Sequence, residues 1–336
     1  MTGTRERYAA YAERIAPVSP SYAAWARSVD DDLVALLEAV PEQQRQPELV
    51  FAVARRLGAD PADPGALRAL GREARPTLVT ALAAATVQAN DPRRLGPVVP
   101  VLQALAAATE RPLGLVDAGA AAGLCSIPDR VTLDHVAGDG MRDERVRVHT
   151  AVAEPSVHLT VAVSGAVPAP RATPIRIGAR VALDPNPIDL AEPGAFDRLV
   201  EAVPPEATDR TALMGAAARA TLAVPPVRIR GTLPGDLDRA LDALPDDCEP
   251  VVLTTGTLVY VPGADRQRVV DRLRERGVRW VALERTGILR GVAATLPGDV
   301  DPGDPDAFAT LSLDGVALAV SDPFGVRVRW FRAPAA

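Results

Sequence analysis

Five short predicted strands, most of them apolar, alternate with segments of helical spacing, and this alternation limits most strongly what the chain can fold into. Runs of this kind are typical of parallel strands that helices cover on both faces. The predicted strands lie at 113–117, 180–184, 227–230, 251–255 and 278–284. Helices are predicted among them at 193–203, 209–222, 237–244 and 265–276. The alternation predicts an α/β fold with a Rossmann-like, mostly parallel sheet.

The residues before the first run have helical periodicity. Tyr8, Tyr11 and Ile15 recur at helical spacing, and Ser19-Pro20 is a typical helix start because Ser caps a helix and Pro fits its first turn. Further helices are predicted at 31–40, 47–57, 72–86 and 97–108, with Gly58 ending the helix at 47–57. We therefore predict a helical N-terminal region over 1–110 and an α/β domain over 111–336. Whether the helical region is a lid, a dimer surface or a cover for the sheet stays open.

Two further stretches of the α/β part alternate as strands do. Residues 131–178 contain Gly and Pro and alternate most clearly at 145–149 and 157–163, which predicts a β-rich insertion. Residues 309–330 alternate around two turn sequences, Asp314-Gly315 and 323–325, which predicts a C-terminal antiparallel hairpin. Closed by such a hairpin, the predicted sheet matches that of S-adenosylmethionine (SAM) methyltransferases better than a TIM barrel.

Composition excludes several classes of function. The chain has 37 basic and 43 acidic residues, a net charge of −6, which argues against general nucleic-acid binding. It has no Lys, so it has neither a Schiff-base lysine nor a phosphate-loop lysine. Its two Cys and three His lack metal-binding spacing, so no metal site is predicted. The polar residues 1–14 and the lack of a long unbroken apolar segment predict a cytoplasmic protein with no membrane partner.

The most informative motif is Leu115-Val-Asp117-Ala-Gly119-Ala-Ala-Ala-Gly123, at the end of a predicted strand. Gly lets the backbone pass close to a ligand, and a helix starting after this turn would present free N–H groups. In methyltransferases such features hold the amino-acid part of SAM. The dinucleotide form, Gly-x-Gly-x-x-Gly, is absent. The alternative is an ordinary tight turn, followed by a helix that Pro128 shortens.

Polar or Gly residues also follow the other predicted strands. Asp184, with Asn186 nearby, stands where an acid commonly holds ribose hydroxyls, although a capping Asp in a Pro-rich turn is the alternative. Gly231 and Thr232 follow the next strand, where contacts to adenine would fall. The strand at 251–255 ends beside the cofactor and the acceptor in this topology, so Tyr260 either lines the substrate pocket or packs as an ordinary half-buried Tyr.

Longer segments carry a more specific resemblance. They are Arg7-Tyr8, 19–22, 46–51, 87–91, 115–124, Asp129-Arg130, 183–189, 225–231 and 251–262. On these segments the chain resembles the uncharacterised, mostly actinobacterial DUF2332 family over nearly its whole length. The resemblance implies a helical N-terminal region joined to a methyltransferase-like Rossmann domain. It brings no demonstrated reaction.

The leading prediction is a SAM-dependent methyltransferase that acts on an unknown small molecule by in-line displacement. Candidates for the substrate pocket are Gln88, Asn90, Arg130, Tyr260 and Glu284; the last two are candidate bases that the sequence does not distinguish. The residues predicted to bind the cofactor are Asp117, Gly119, Ala120, Gly123, Leu124, Asp184, Asn186, Gly231, Thr232, Thr255 and Gly256.

Two other functions remain open. The first is a non-catalytic protein that kept the fold for ligand binding or protein interaction. Three departures from the family pattern favour it: Thr232 stands in place of an acid, Ala121 in place of a Ser, and Pro185 in place of an apolar residue. The second is a nicotinamide-dependent oxidoreductase, which the missing dinucleotide motif disfavours. The oligomeric state is not predicted.

Overall fold

The chain forms two compact units. A computed structural model describes residues 3–85, 90–138 and 145–334. The first unit comprises Met1–Ala89 and Glu192–Met214, and the second comprises Asn90–Ala191 and Gly215–Ala336. The predicted boundary near residue 110 marks the change from helices to strands along the chain. The two units instead group residues that pack together, so their boundaries fall elsewhere. Within the described ranges, no helix has both the length and the apolar character that crossing a membrane requires.

Twelve α-helices occur in the described ranges. They are α1 (Thr4–Ile15), α2 (Pro20–Arg27), α3 (Asp31–Leu37), α4 (Pro47–Arg56), α5 (Ala66–Glu73), α6 (Arg75–Ala84), α7 (Leu95–Ala107), α8 (Ala195–Val200), α9 (Thr208–Ala223), α10 (Leu237–Leu241), α11 (Gly263–Arg276) and α12 (Arg290–Ala293). Helices α1–α6 and α8 belong to the first unit, and α9 begins in the first unit and ends in the second.

The predicted helix starts and ends in the first unit are largely confirmed. Ser19 caps α2, because its Oγ accepts from the Tyr22 N–H at 3.2 Å. Gly58 follows α4 in a left-handed conformation with φ +94°. The helix predicted over 72–86 is confirmed as α6, but its start is wrong, since α5 ends at Glu73 and α6 starts at Arg75. The reason is Pro76, which fits the first turn of a new helix better than a helix interior.

Aromatic side chains form the core of the first unit. Phe51 of α4 is surrounded by rings from α1 and α2. Its ring centroid lies 6.0 Å from that of Tyr8, 5.8 Å from Tyr11, 4.9 Å from Tyr22 and 5.5 Å from Trp25. All four contacts have edge-to-face geometry, which aromatic pairs favour. The helical pattern at the start of the chain therefore marks the buried faces of α1 and α2.

Polar contacts hold the segment 192–214 to this helical core. The Arg55 Nη1 group donates to the carbonyls of Glu201 at 3.0 Å and Val203 at 2.8 Å. The Ser19 hydroxyl donates to the Glu206 carboxylate at 2.6 Å. A charged donor satisfies two carbonyls that the end of α8 leaves without helical partners. The first unit is thus completed by residues from the middle of the chain.

One sheet of eleven strands runs through the described part of the second unit. The strand order across the sheet is β3-β2-β4-β11-β10-β9-β8-β7-β1-β5-β6. The strands are β1 (Leu113–Ala118), β2 (Val131–Ala137), β3 (Arg145–His149), β4 (Val157–Gly165), β5 (Ile177–Asp184), β6 (Val227–Arg230), β7 (Glu249–Thr255), β8 (Arg279–Arg285), β9 (Ala309–Leu313), β10 (Val316–Ser321) and β11 (Arg327–Trp330).

Five parallel strands, β6-β5-β1-β7-β8, match the five strands that the sequence predicts. From β1 the chain adds β5 and β6 on one side, and then β7 and β8 on the other. This is the order of the first five strands of doubly wound α/β folds, and it creates a topological switch point between β1 and β7. The predicted α/β class with a mostly parallel sheet is confirmed.

The rest of the sheet is built from the predicted insertion and the C-terminal strands. Strands β8, β9, β10 and β11 pair in antiparallel fashion in sequence order. The insertion contributes β2, β3 and β4, and β4 pairs in parallel with β11. Helix α7 contacts β2, β4, β8 and β9. The insertion therefore extends the same sheet beyond the hairpin.

The helix expected after the first Gly motif is absent, and this prediction is wrong. Residues 119–127 form turns, and Pro128–Arg130 forms one short 3₁₀ segment before β2 begins. The N–H groups of this loop bond to carbonyl and carboxylate oxygens outside a helix, including those of Leu183, Asp184 and Asn90. Side-chain acceptors of this kind compete with helical hydrogen bonds.

Candidate functional site

The carboxyl ends of β1, β5, β7 and β8 lie at one edge of the sheet, because these four strands are parallel. Ligands of open α/β sheets bind outside these ends, at the switch point. Here the switch point lies between the loop after β1, which begins at Gly119, and the loop after β7, which begins at Gly256. Most of the predicted site residues follow these strands, so the topology brings them to one edge.

The two loops meet through Gly119 and Thr257. Gly119 has φ +83°, and an added Cβ would overlap Thr257 Oγ1 and Cγ2 and lie 2.8 Å from its Cβ. The Thr257 hydroxyl in turn donates to the carbonyl of Ala118 at 2.8 Å. Gly is therefore required here by both the backbone conformation and the close approach of Thr257. The motif contributes a tight junction between β1 and β7.

Asp184, predicted to hold a ribose, binds the backbone of two loops. Its Oδ2 accepts from the Ala121 N–H at 2.9 Å, and its Oδ1 accepts from the Asn186 N–H at 2.7 Å. Ala121 has the left-handed φ of +49°, which costs a non-Gly residue free energy. The carboxylate thus supports a strained turn of the β1 loop. A contact to ribose stays a prediction.

Backbone N–H groups of the β1 loop also bond to oxygens of neighbouring segments. The N–H groups of Gly119 and Ala120 both bond to the carbonyl of Leu183, at 2.7 and 3.3 Å. The Leu124 N–H bonds to Asn90 Oδ1 at 2.7 Å. Asn90, a predicted substrate-pocket residue, therefore fixes the loop through its buried side chain. Gln88, its predicted companion, lies outside the described residues.

Asp117 is a buried acid at the end of β1, with 1% of its surface exposed. Burial and the nearby Asp184 raise the pKa of its carboxyl, while a hydrogen bond from Ser126 and the charge of Arg94 lower it, and the resulting pKa is about 7. Ser126 Oγ donates to Oδ2 at 2.8 Å. Among the described residues, none donates to the other oxygen, Oδ1. Oδ1 is therefore an acceptor that these residues leave unused.

Glu284 is a second buried acid at this edge, near the end of β8 and 2% exposed. Its two oxygens accept from the N–H groups of Thr257 at 3.0 Å and Leu258 at 3.1 Å. Burial raises the pKa of its carboxyl to about 7, and these backbone bonds oppose the rise. The carboxylate caps the start of the 3₁₀ turn Leu258–Tyr260 and so holds the β7 loop in place.

Arg94 lies at the switch point and is not among the residues predicted from the sequence. Its Nη1 donates to the carbonyl of Thr255 at 2.6 Å, and its charge lowers the pKa of both Asp117 and Glu284. Gly256 has φ +69°, and an added Cβ there would lie 2.9 Å from Arg94 Nη1. Asp91-Pro92, just before it, is a helix-start signal and does not indicate that this Arg reaches the strand ends.

The remaining predicted residues have other surroundings. Thr232 donates its N–H to Asp236 Oδ2 at 2.8 Å, and an added Cβ at Gly231 would lie 2.5 Å from Asp236 Cγ. A carboxylate therefore does lie at this turn, although residue 232 is not acidic. Arg130 donates to the carbonyl of Glu154 in the insertion at 2.7 Å. Its predicted role toward an acceptor stays a prediction.

Tyr260 and Cys125 also follow strands of this edge and differ in exposure. Tyr260 is 57% exposed and so is not the half-buried packing residue that was its default interpretation. Cys125 is fully buried, and burial, with the nearby Asp117, raises the pKa of its thiol to about 12. A thiol in that state is unreactive. No group of three or more His, Cys, Asp or Glu side chains in the described ranges is placed to hold a metal ion.

Comparison with known proteins gives one match. The family model described as "Uncharacterized protein conserved in bacteria (DUF2332)" matches residues 5–330. No curated protein matches the chain significantly. The same is true of the solved structures.

Proposed function

Because the chain belongs to the DUF2332 family, whose description names no activity, we propose its function from the switch point: it binds SAM there and methylates a small molecule. The observation that carries the proposal is the excess of acidic groups at this edge. Asp117, Asp184 and Glu284 are buried carboxyls, and Arg94 is the one basic side chain that contributes to the pKa values of both Asp117 and Glu284.

The charge of the site favours a cationic ligand. SAM carries a sulfonium, an ammonium and a carboxylate, so its net charge is positive. A cation beside Asp117 would stabilise the ionised carboxyl, whose pKa burial now raises, and the carboxylate would stabilise the cation in return. The pyrophosphate of a dinucleotide would meet repulsion instead. It would also find no helix N-terminus after β1, which is where doubly wound folds bind it.

The residues present fit the methionine end of SAM through side chains more than through backbone. The Asp117 Oδ1 atom is the available acceptor for the ammonium group, since Oδ2 is bonded to Ser126. The junction between Gly119 and Thr257 brings the β1 and β7 loops into contact. A ligand would therefore bind outside these two loops, at the carboxyl edge of the sheet. Asp184 keeps acceptor capacity for a hydroxyl, because each carboxylate oxygen can accept more than one hydrogen bond.

The chemical contribution of the protein would be positioning and proton removal. When bound, SAM supplies a methyl group on a positively charged sulfur, which a nucleophile can take directly. The chain's own part is to hold the acceptor in line, and orientation of this kind contributes much of the rate. If the nucleophile must lose a proton, a carboxylate with a pKa near 7 is a suitable base. Glu284 meets that condition, and each of its oxygens can accept a further hydrogen bond besides the backbone N–H that it now holds, whereas Asp117 is engaged by the ammonium group.

A non-catalytic role is the second candidate, and the hydrogen bonds of the β1 loop favour it. The N–H groups of Gly119, Ala120, Ala121 and Leu124 all bond to oxygens of the chain itself. A loop whose donors are satisfied internally has fewer to offer a ligand's carboxylate. A protein of this kind would bind S-adenosylhomocysteine as well as SAM, and would turn over no acceptor.

Titration calorimetry tests the proposal. SAM, S-adenosylhomocysteine and NADH are titrated into the wild type and into Asp117→Asn, which keeps the size of the side chain but removes its charge. The matched control is Asp134→Asn, a buried strand Asp of the insertion that bonds to His158 rather than to the β1 loop. We expect SAM to bind the wild type, and Asp117→Asn to weaken binding by about 10- to 100-fold, as for loss of a charged hydrogen bond.

The outcomes separate the candidates. Equal loss in both Asp variants would mean that stability, not the site, is being measured. Tight NADH binding without SAM binding would revive the oxidoreductase. No heat with SAM at several temperatures, together with an unchanged melting temperature, would contradict the proposal. Binding of both SAM and S-adenosylhomocysteine with no turnover of any acceptor would leave the non-catalytic role.

A further inference from the structure

Side chains from two neighbouring elements hold the backbone of the 3₁₀ turn after β7. From β8, the Glu284 carboxylate accepts from the N–H groups of Thr257 and Leu258. From α11, Arg266 Nε donates to the carbonyls of Leu258 at 2.7 Å and Val261 at 2.8 Å. Two side chains on different elements therefore fix four backbone groups of one short segment.

The same turn exposes large apolar side chains. Val259 is 38% exposed and Tyr260 is 57% exposed. Exposed apolar residues occur singly on most surfaces. Here two adjoining ones stand on a turn whose backbone is already held, so a ligand that contacts them needs to order little. The turn follows Thr257, which contacts Gly119 at the switch point. This apolar pair thus lies beside the candidate site and not elsewhere on the sheet.

From this arrangement we infer that Val259 and Tyr260 form the wall of the acceptor pocket, and that the acceptor is a small, flat, apolar molecule with an aromatic ring. The inference rests on the proposed function and names its substrate class. The backbone of the turn is largely engaged by Glu284 and Arg266, since the carbonyl of Val259 also accepts from Arg266, at 3.5 Å. The turn therefore offers an acceptor side chains rather than polar backbone groups.

A sugar or a polyol would bind this wall poorly. Its hydroxyl groups would lose hydrogen bonds to water and would find few polar partners on the turn. An aromatic ring has no such hydrogen bonds to water to lose, and it gains contact with the ring of Tyr260 and the methyl groups of Val259. The rigidity of the turn adds to the gain, because little ordering is required on binding.

Binding of two small probes tests the inference. 2-Naphthol represents the aromatic class, and myo-inositol represents polyols of similar size. Each is titrated into the wild type by saturation-transfer NMR, with and without saturating S-adenosylhomocysteine. We expect 2-naphthol to bind at least about tenfold more tightly than myo-inositol. Tyr260→Ala should weaken 2-naphthol by about five- to tenfold and Val259→Ala by about two- to threefold, while Tyr260→Phe should stay near the wild type.

The matched control is Val227→Ala. Val227 is 57% exposed, like the residues of the wall, but it starts β6 and so lies at the opposite end of the parallel strands. It should leave 2-naphthol binding unchanged. Melting temperatures of all four variants identify any loss of fold, which exposed side chains should not cause.

The results also distinguish this inference from the proposed function. Binding of 2-naphthol that depends on Tyr260 supports the wall, even if S-adenosylhomocysteine itself does not bind. The inference is overturned if S-adenosylhomocysteine binds but 2-naphthol does not, or if myo-inositol binds equally well. It is also overturned if Val227→Ala weakens 2-naphthol as much as Val259→Ala does.

Discussion

Substitution of Gly119 by Ala tests the junction between the β1 and β7 loops. The left-handed backbone, φ +83°, costs a Cβ-bearing residue about 1–2 kcal/mol. Displacing Thr257 to make room adds about 1–3 kcal/mol as overpacking. Loss of the hydrogen bond from Thr257 to the Ala118 carbonyl adds about 0.5–1.5 kcal/mol. Gly119→Ala should therefore lower the free energy of unfolding by about 3–6 kcal/mol.

A second glycine separates strain from crowding. Gly287 has a similar φ of +88°, but an added Cβ there meets no described atom within 4 Å. Gly287→Ala should cost only about 1–2 kcal/mol in urea unfolding followed by circular dichroism. Adding Thr257→Ala to Gly119→Ala should restore about 2 kcal/mol through coupling between the two sites. Equal costs for the two Gly variants, or no recovery in the double variant, would refute the reasoning.

Three further results are expected. The pKa values of Asp117 and Glu284, about 7, lie above the ordinary 3.8 and 4.5, so the stability they contribute is complete below about pH 4 and is lost as pH rises through about 7. Melting temperatures should show Asp117→Asn gaining on the wild type from pH 5 to pH 8, and a parallel decline of both proteins would disprove this. Arg55→Ala should speed proteolytic cleavage within 192–214, because two carbonyls lose a charged donor; cleavage at the wild-type rate would count against that attachment. Cys125 should be unmodified by a thiol reagent in the native protein and react after denaturation, and fast native labelling of Cys125 would contradict its burial.

The parallel strands were predictable because their sequences carry the whole signal. The runs at 113–117 and 251–255 are apolar except at their carboxyl ends, Asp117 and Thr254-Thr255, and the structure buries β1 completely and most of β7. Their ends were predictable too, since Gly119 and Gly256 both adopt left-handed conformations. Where a strand is buried on both faces, local sequence and tertiary environment agree.

The position of the insertion was not predictable in the same way. The alternation in 131–178 indicates strands, and β2, β3 and β4 confirm it. Nothing in that pattern says that β4 pairs with β11, which lies more than a hundred residues later in the chain. Pairing partners are chosen by long-range packing, here including α7, which contacts both β4 and β9.

The position of the candidate site in the fold was predictable from the sequence, whereas most of its hydrogen bonds were not. Topology alone brings Asp117, Asp184 and Glu284 to one edge, because each stands at or near the end of a parallel strand. Their hydrogen bonds depend on the loops. Asp184 reaches Ala121 only because the loop after β1 forms turns instead of a helix. Arg94 went unnoticed because one Arg among 37 basic residues carries no local signal.

The most direct test of the central claim is a crystal structure determined with saturating S-adenosylhomocysteine. We expect ligand density at the carboxyl ends of β1 and β7, with the ligand's amino group within hydrogen-bond distance of Asp117 Oδ1. Density at any other place, or none at this edge under conditions where calorimetry shows saturation, would contradict it.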